Sequence, residues 1–319
     1  MVDRRRFLYG VILMLGMPLA AEAQESSLPR VVVVGPSALA HPLAQSFEGG
    51  MRDRGYVRGR NVNIMYRWDV GAAEITRLKP QIIVAAGSLA IEAATSSTRA
   101  VAIVVAGCDV EATGLIVSRQ RPGHTLTGVS CISSKLARPR LRLLKEAVPA
   151  LKRVAVLYNA GHPGKLAEWG KMQAAAQALG LQAESFEVRE QDLIDEDEFE
   201  KRLVAVRARV DALIAMDDVL LVSYLRRIVN LVAKHRLPAM YPSREYAEQG
   251  GLLAYGPALP DMSRRAALYT ERILRGANPA MMALEEPTKI ELIINRRNAR
   301  WLGLVMPPSL LRRADQVLE

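Results

Sequence analysis

Short runs of β-branched residues alternate along this chain with longer amphipathic segments, and this alternation constrains the fold more than any other feature. Residues 30–35 read Arg-Val-Val-Val-Val-Gly and are followed by proline, which is typical of a buried parallel strand. The next segment, residues 42–54, places Leu43, Phe47 and Met51 on one helical face. A strand followed by an amphipathic helix is the unit from which parallel α/β sheets are built.

The pattern recurs in two successive series. Further strands of the first series are predicted at residues 62–66, 81–85, 102–106 and 125–130. The second series has predicted strands at residues 153–158, 182–188, 212–216, 238–241 and 252–255, with helices at 134–147, 165–179, 196–209 and 219–235. Because no low-complexity linker separates the series, the sequence predicts an α/β fold of two doubly wound lobes joined by a hinge of short strands.

The lobe boundaries follow from these series. The N-terminal lobe is predicted at residues 30–130 and the C-terminal lobe at residues 131–257. Beyond them, a helix within residues 258–280 is expected to complete the first lobe, and residues 284–319 are expected to complete the second. The tail would then cross back between the lobes.

The first 23 residues have the three parts of a secretory signal peptide. Arg4, Arg5 and Arg6 precede an apolar stretch at residues 7–19, and Ala-Glu-Ala at 21–23 forms a small-x-small cleavage site. The run Arg-Arg-Arg-Phe-Leu at residues 4–8 also fits the R-R-x-F-L core of a twin-arginine signal, so both export routes stay open. Gln24 follows where a lipoprotein has cysteine, so we expect a soluble periplasmic protein. A buried N-terminal helix is the alternative interpretation.

Charge and histidine placement disfavour several classes of partner. The formal net charge is +10, but basic residues are interspersed with acidic ones and lack the aromatic interleaving of a single-strand binder. We therefore expect no nucleic-acid partner. The four histidines are scattered without metal-ligand spacing, so the sequence predicts neither a metal nor a cofactor.

Two cysteines, Cys108 and Cys131, lie near predicted strand ends. In an oxidising periplasm an even count permits one disulfide. The sequence is consistent both with a disulfide and with two buried free thiols.

The candidate ligand site lies at the carboxyl ends of the predicted strands, where ligands bind in open α/β sheets. Polar or flexible residues follow nearly every strand. The candidate site residues are Ser37, Gly87, Ser88 and Asp109 on the first lobe, and Asn159, Asp217, Tyr241 and Tyr255 on the second.

Each candidate residue has a chemical rationale and a structural alternative. Gly87 and Ser88 at a helix start are suited to an anion, Asp217 to an ammonium group, and the two tyrosines to stacking on an apolar part of the ligand. The same residues also fit plain structural roles, as turn formers, helix N-caps or core tyrosines. Nucleotide-binding glycine motifs and the Gly-x-Ser-x-Gly nucleophile motif are missing from the sequence, so we expect no enzymatic activity.

Several segments then resemble one family, and the similarity spans essentially the whole mature chain. The matching segments are residues 47–56, 58–62, 143–149, 233–239, 250–257, 287–295, 302–304, 307–311 and 313–315. They resemble ABC-transporter substrate-binding proteins of the group that includes tryptophan- and tyrosine-binding members. The resemblance implies a type I periplasmic-binding-protein-like fold, acting as a monomer, that closes on a small solute and presents it to an inner-membrane permease.

The chain departs from the family pattern in three places, several of which fall in the predicted cleft. The chain has Cys-Asp-Val at 108–110 where members often have Asp-Pro after the glycine, Asn-Ala at 159–160 where they have Asn-Pro, and Ser-Leu at 88–89 where they have Thr-Pro. Ligand identity is therefore not carried over, although an amino acid or related carboxylate is favoured. An exported sensing module for a membrane receptor, or a periplasmic enzyme on the same scaffold, remains the alternative.

Overall fold

A computed structural model describes residues 28–37, 40–110, 116–123 and 125–319. The predicted signal peptide at residues 1–23 lies outside the described residues. In the described part of the chain, no helix combines the length and hydropathy needed to cross a bilayer.

The first series folds as a set of β/α repeats. In chain order its elements are β1 (Arg30–Gly35), α1 (Ala40–Arg52), β2 (Asn63–Trp68), α2 (Ala72–Arg77), β3 (Ile82–Ala86), α3 (Ser88–Ser97), β4 (Ala102–Cys108) and β5 (Leu126–Cys131). These five strands pair in parallel, in the order β5-β4-β3-β1-β2.

The second series follows a 3₁₀ turn at Ser133–Leu136. Its elements are α4 (Ala137–Ala147), β6 (Arg153–Asn159), α5 (Pro163–Gln177), β7 (Gln182–Val188), α6 (Glu190–Ile194), α7 (Glu196–Arg207), β8 (Ala212–Ala215), α8 (Val219–Ser223), α9 (Leu225–Lys234), β9 (Ala239–Tyr241), α10 (Arg244–Glu248) and β10 (Leu253–Pro257). The strands pair in parallel, in the order β10-β9-β8-β6-β7.

The tail contributes to both sheets. It comprises α11 (Leu259–Leu274), a 3₁₀ turn (Pro279–Met281), β11 (Leu284–Glu285), β12 (Ile290–Asn295), α12 (Arg296–Trp301), α13 (Pro308–Arg313) and β13 (Gln316–Leu318). Helix α11 packs against α1 and β4 of the first lobe. Strand β12 pairs antiparallel with β10, and β13 pairs parallel with β12, both in the second sheet.

One predicted boundary is wrong. The sequence assigned residues 284–319 as a whole to the second lobe, but β11 pairs in parallel with β5 and extends the first sheet. The chain therefore crosses to the second lobe after Glu285. The two-residue strand is too short to give a periodic signal, and only its pairing with β5 reveals which lobe it belongs to.

Helices cover both faces of each sheet, as expected when strands are parallel and apolar throughout. In β1, Val31 and Val33 pack with α1 and α11 on one face, whereas Val32 and Val34 pack with α2 and α3 on the other. All four valines are at most 1% exposed. This two-sided burial confirms the predicted fold class of two doubly wound α/β lobes.

The two lobes are closed on each other. Leu43 and Ala86 of the first lobe pack into the hydrophobic cluster that includes Leu221 and Val222 of the second lobe. A Cβ atom built on Gly87 would lie 3.5 Å from Cγ2 of Val219. The carboxyl ends of the two sheets therefore face each other across a narrow cleft.

Candidate functional site

The cleft contains an enclosed cavity and a larger groove that share part of their lining. The enclosed cavity has a volume of about 40 Å³ and includes Gly87, Asp109, Lys165, Asp217 and Ser243 in its lining. The interlobe groove, of about 950 Å³, runs between α3 and α5 and also contacts Asp109 and Lys165. Loops from both lobes thus line this shared part of the cleft.

The structure brings some of the sequence candidates together in this space. Gly87, Asp109 and Asp217 line the enclosed cavity, and Asn159 lines the interlobe groove. Ser88 is the first residue of α3, directly after the cavity-lining Gly87.

The other candidates lie elsewhere. Ser37 is exposed, and its backbone N–H donates to Asp69 Oδ1 at 3.1 Å. Tyr241 is 1% exposed and stacks on Tyr246 in the core of the second lobe, with ring centroids 4.9 Å apart. Tyr255 lines a separate groove on the second lobe, next to Arg138 and Arg142. The structure therefore does not place these three side chains in the enclosed cavity or the interlobe groove.

Asp109 is held at the exit of β4 by several contacts. Its backbone N–H donates to the Cys131 carbonyl at 2.8 Å, and its Oδ1 accepts from the Ser133 N–H at 2.8 Å. Its φ of 58° lies in the left-handed region, which is uncommon for a residue other than glycine. Cys108 and Cys131 are direct partners in the parallel register and form a disulfide, with Cα atoms 4.4 Å apart. The disulfide alternative of the sequence is the one observed.

Lys165 is the main cleft residue that sequence reasoning missed. It lies in the first turn of α5 with its side chain 4% exposed. Its Nζ is 2.8 Å from Glu168 Oε2 and 3.4 Å from Asp109 Oδ2. A lysine in the first turn opposes the helix macrodipole, and this local conflict is the signal that the sequence offered.

These carboxylates control the charge of Lys165. Burial lowers the pKa of Lys165, but Glu168, Asp109 and Asp217 together outweigh burial and raise it. Burial raises the pKa of Glu168, against the opposing effect of Lys165. Lys165 is therefore a charged group in the closed cleft.

Asp217 follows β8, and its hydrogen bonding differs from that of its neighbour Asp218. Asp218 caps α8 by accepting from the Leu220 N–H at 2.8 Å, and it also accepts from Asn159 Nδ2 at 3.2 Å. Among the described residues, no hydrogen bond or ion pair engages the Asp217 carboxylate. Burial raises the pKa of Asp217, while Lys165 and Arg140 act in the opposite direction. The enclosed cavity thus presents a carboxylate that is ready to accept a donor.

Arg140 is a buried side chain that hydrogen-bonds backbone carbonyls near the site. This side chain is 1% exposed, and its Nε donates to the Tyr255 carbonyl at 2.8 Å, while one Nη donates to the Pro242 carbonyl at 3.3 Å. Arg140 therefore ties α4 to strand β10 and to the loop that follows β9. Its charge also acts on Asp217, the carboxylate that affects Arg140 most.

The described residues contain no group of three or more His, Cys, Asp or Glu side chains arranged to hold a metal ion. The polar groups of the cleft instead include one unpaired carboxylate, one buried ion-paired lysine and the N-terminal end of α3. The first N–H groups of a helix have no intrahelical acceptor and favour an anion. The arrangement is suited to reversible binding of a small polar molecule.

Comparisons with solved structures agree with this architecture. A conserved domain protein from Vibrio cholerae matches with a TM-score of 0.81 and 22% identity, over 91% of this chain and 100% of that one. An ABC domain in complex with L-Trp from Streptococcus pneumoniae matches with a TM-score of 0.82 and 22% identity, over 92% and 100%. A leucine binding protein from Thermotoga maritima matches at 0.58 and 14%, over 78% and 83%. These likenesses show the fold.

The sequence itself identifies the family. A search of curated proteins finds no match to this chain. The family model described as "ABC transporter substrate binding protein" matches residues 31–318, which is nearly all of the described part. The chain therefore belongs to the ABC transporter substrate-binding protein family.

Proposed function

We propose that this protein is the periplasmic solute-binding component of an ABC-type import system. It binds an amino acid or a related carboxylate between its lobes and delivers the solute to an inner-membrane permease. The observation that carries the proposal is the enclosed cavity, which contacts both lobes and contains the unpaired carboxylate of Asp217.

The polar groups of the cleft support this class of solute. The Asp217 carboxylate would accept from an ammonium group, and the backbone N–H groups at the start of α3 would bind a carboxylate. Two structural neighbours support this class of solute, since one holds L-Trp and another is a leucine binding protein. Both of these solutes carry one ammonium and one carboxylate group.

The closed geometry supports hinge motion. A water molecule needs a cavity of roughly 10–15 Å³, so a cavity of about 40 Å³ holds no more than a few waters. A solute larger than that fits into this cavity only when the lobes separate. Because the bound solute contacts both lobes, it favours a closed form over the open one.

A thermal-shift screen of the mature chain, starting at Gln24, tests the proposal. The panel contains amino acids, aromatic acids, nucleosides, sugars and small peptides, and the protein is first freed of bound solute by unfolding and refolding. A solute at ~100 times its Kd adds ~2.7 kcal/mol, which corresponds to a rise of roughly 4 °C for a chain of this length. The proposal predicts such a rise with an amino acid or carboxylate. No rise with any solute would contradict it, and turnover of a bound solute would indicate an enzyme.

A further inference from the structure

The closed cleft contains a charged contact that needs no solute. Lys165 belongs to the second lobe and Asp109 to the first, and their Nζ and Oδ2 atoms are 3.4 Å apart. The Lys165 side chain is 4% exposed and that of Asp109 is 26% exposed. Salt screens a buried pair of charges much less than an exposed one. The contact between the lobes is therefore less sensitive to salt than a surface ion pair.

Both partners adopt arrangements that are locally unfavourable. Lys165 places its charge in the first turn of α5, where the macrodipole favours anions. Asp109 adopts a left-handed φ of 58°. In each case the charged group lies in the cleft. The attraction between Lys165 and Asp109 offsets these unfavourable local features.

The surroundings hold the two charges in place. On the second lobe, Glu168 lies one turn along α5, is 6% exposed, and fixes the Lys165 ammonium at 2.8 Å. On the first lobe, the Ser133 N–H and the Cys131 carbonyl fix Asp109, next to the disulfide. Asp217 is the further carboxylate that acts on Lys165. The ammonium thus lies among carboxylates from both lobes, as a cation supplied by a solute would.

We propose that Lys165 is a positioning residue that closes the two lobes in the absence of solute, by carrying a cation from the second lobe to Asp109 of the first. The pair shifts the ligand-free protein toward the closed form, and solute enters through the open form that remains. The inference concerns the ligand-free protein and does not depend on which solute binds.

Two variants remove the interlobe pair in different ways. Asp109→Asn keeps an oxygen that accepts from the Ser133 N–H but removes the charge that faces Lys165. The double variant Lys165→Met with Glu168→Gln removes the pair without leaving the buried Glu168 carboxylate unpaired. Lys171→Met is the matched control, because Lys171 lies on the same helix, is exposed, and hydrogen-bonds the Ser134 hydroxyl at 3.3 Å instead of pairing with Asp109.

Small-angle X-ray scattering of the refolded, solute-free proteins measures the closure. We expect the wild type and Lys171→Met to fit the closed structure with one radius of gyration. Asp109→Asn and the double variant should give a larger radius and a distance distribution with two separated lobes. A cooperative thermal transition confirms that each variant is folded, and if one is not, the other decides.

Two results would overturn the inference. One is a wild type that is open without solute, and the other is a folded variant that scatters as the closed wild type does. Neither result bears on solute binding, which the thermal-shift screen measures separately. A failure of the inference and a failure of the proposed function are therefore distinguishable.

Discussion

The Asp217 carboxyl group has no hydrogen bond or ion pair within the described part of the chain. In Asp217→Asn, the amide cannot balance the charge of an ammonium group, and a hydrogen bond to a charged group contributes about 1.5–3 kcal/mol. We expect the Kd of a bound amino acid to rise roughly tenfold to a hundredfold. Asp197→Asn is the control, because Asp197 is exposed on α7, and its Kd should equal that of the wild type. Calorimetric titration measures both.

The stability of Asp217→Asn separates binding from folding. Since burial raises the pKa of Asp217, the folded protein holds the proton more tightly than the unfolded chain. The protonated carboxyl group therefore contributes to the free energy of unfolding at low pH. This contribution is lost as the pH rises from the ordinary pKa range of aspartate through the raised pKa of Asp217. Asparagine removes this dependence, so at neutral pH the variant should unfold at the same temperature as the wild type or higher. A large loss of stability would instead assign Asp217 to the core.

The disulfide between Cys108 and Cys131 closes a chain segment with a sequence separation of 23. In the chain-entropy account, a loop of this length contributes roughly 3 kcal/mol by restricting the unfolded state. Replacing both cysteines with alanine should therefore lower the melting temperature by roughly 5 °C. The wild type treated with dithiothreitol is the parallel measurement. Equal melting of all three samples would mean that the bridge does not form in solution.

At the scale of elements, Gly256 shows why β10 and the loop after β9 can approach so closely. A Cβ atom at this position would lie 1.8 Å from the Pro242 carbonyl oxygen and 3.3 Å from an Arg140 nitrogen. The obstructing oxygen belongs to the backbone, which cannot move aside cheaply. Gly256 thus permits the contacts through which Arg140 holds β10 and the loop after β9.

Gly256→Ala tests this tie. We expect a loss of roughly 1–3 kcal/mol or more, since overpacking a tight contact displaces backbone. Gly170→Ala in α5 is the matched control, because nothing lies within 4 Å of its Cβ position. That variant should gain about 0.5–1 kcal/mol from helix propensity. Urea unfolding of both proteins measures the difference, and equal stabilities would show that the loops adjust freely.

Elements with strong periodicity could be predicted from the sequence, and elements defined by contacts could not. The valines of β1 and the apolar face of α1 mark a strand and a helix by themselves, because both faces of a parallel sheet must be buried. Strand β11 has only two residues and exists because β5 offers it an edge. Lys165 reads as one more charge on a helix until the fold brings Asp109 opposite to it.

At the scale of the whole molecule, the position of the strand ends explains which site residues could be identified from the sequence. Gly87 and Asp109 directly follow strands and Asp217 lies two residues after one, so the rule that ligands bind beyond strand ends places them in the cleft. Tyr241 also ends a strand, but its ring packs against Tyr246 in the core. Side-chain direction at a strand end depends on packing, which strand order alone does not specify.

The tail links the lobes, because α11 packs on the first lobe and β12 completes the second sheet. The site needs both lobes, since the enclosed cavity has Gly87 on one side and Asp217 on the other. A solute that binds there must protect backbone amides in two segments far apart in sequence. Protection in a single lobe would describe a different kind of site.

Hydrogen exchange with and without the most stabilising solute of the screen is therefore the most direct test. We predict slower exchange at residues 87–91 of the first lobe and at residues 216–220 of the second. The remote helix α7 should exchange at an unchanged rate. Protection confined to one lobe, or found only outside these two segments, would contradict binding between the lobes.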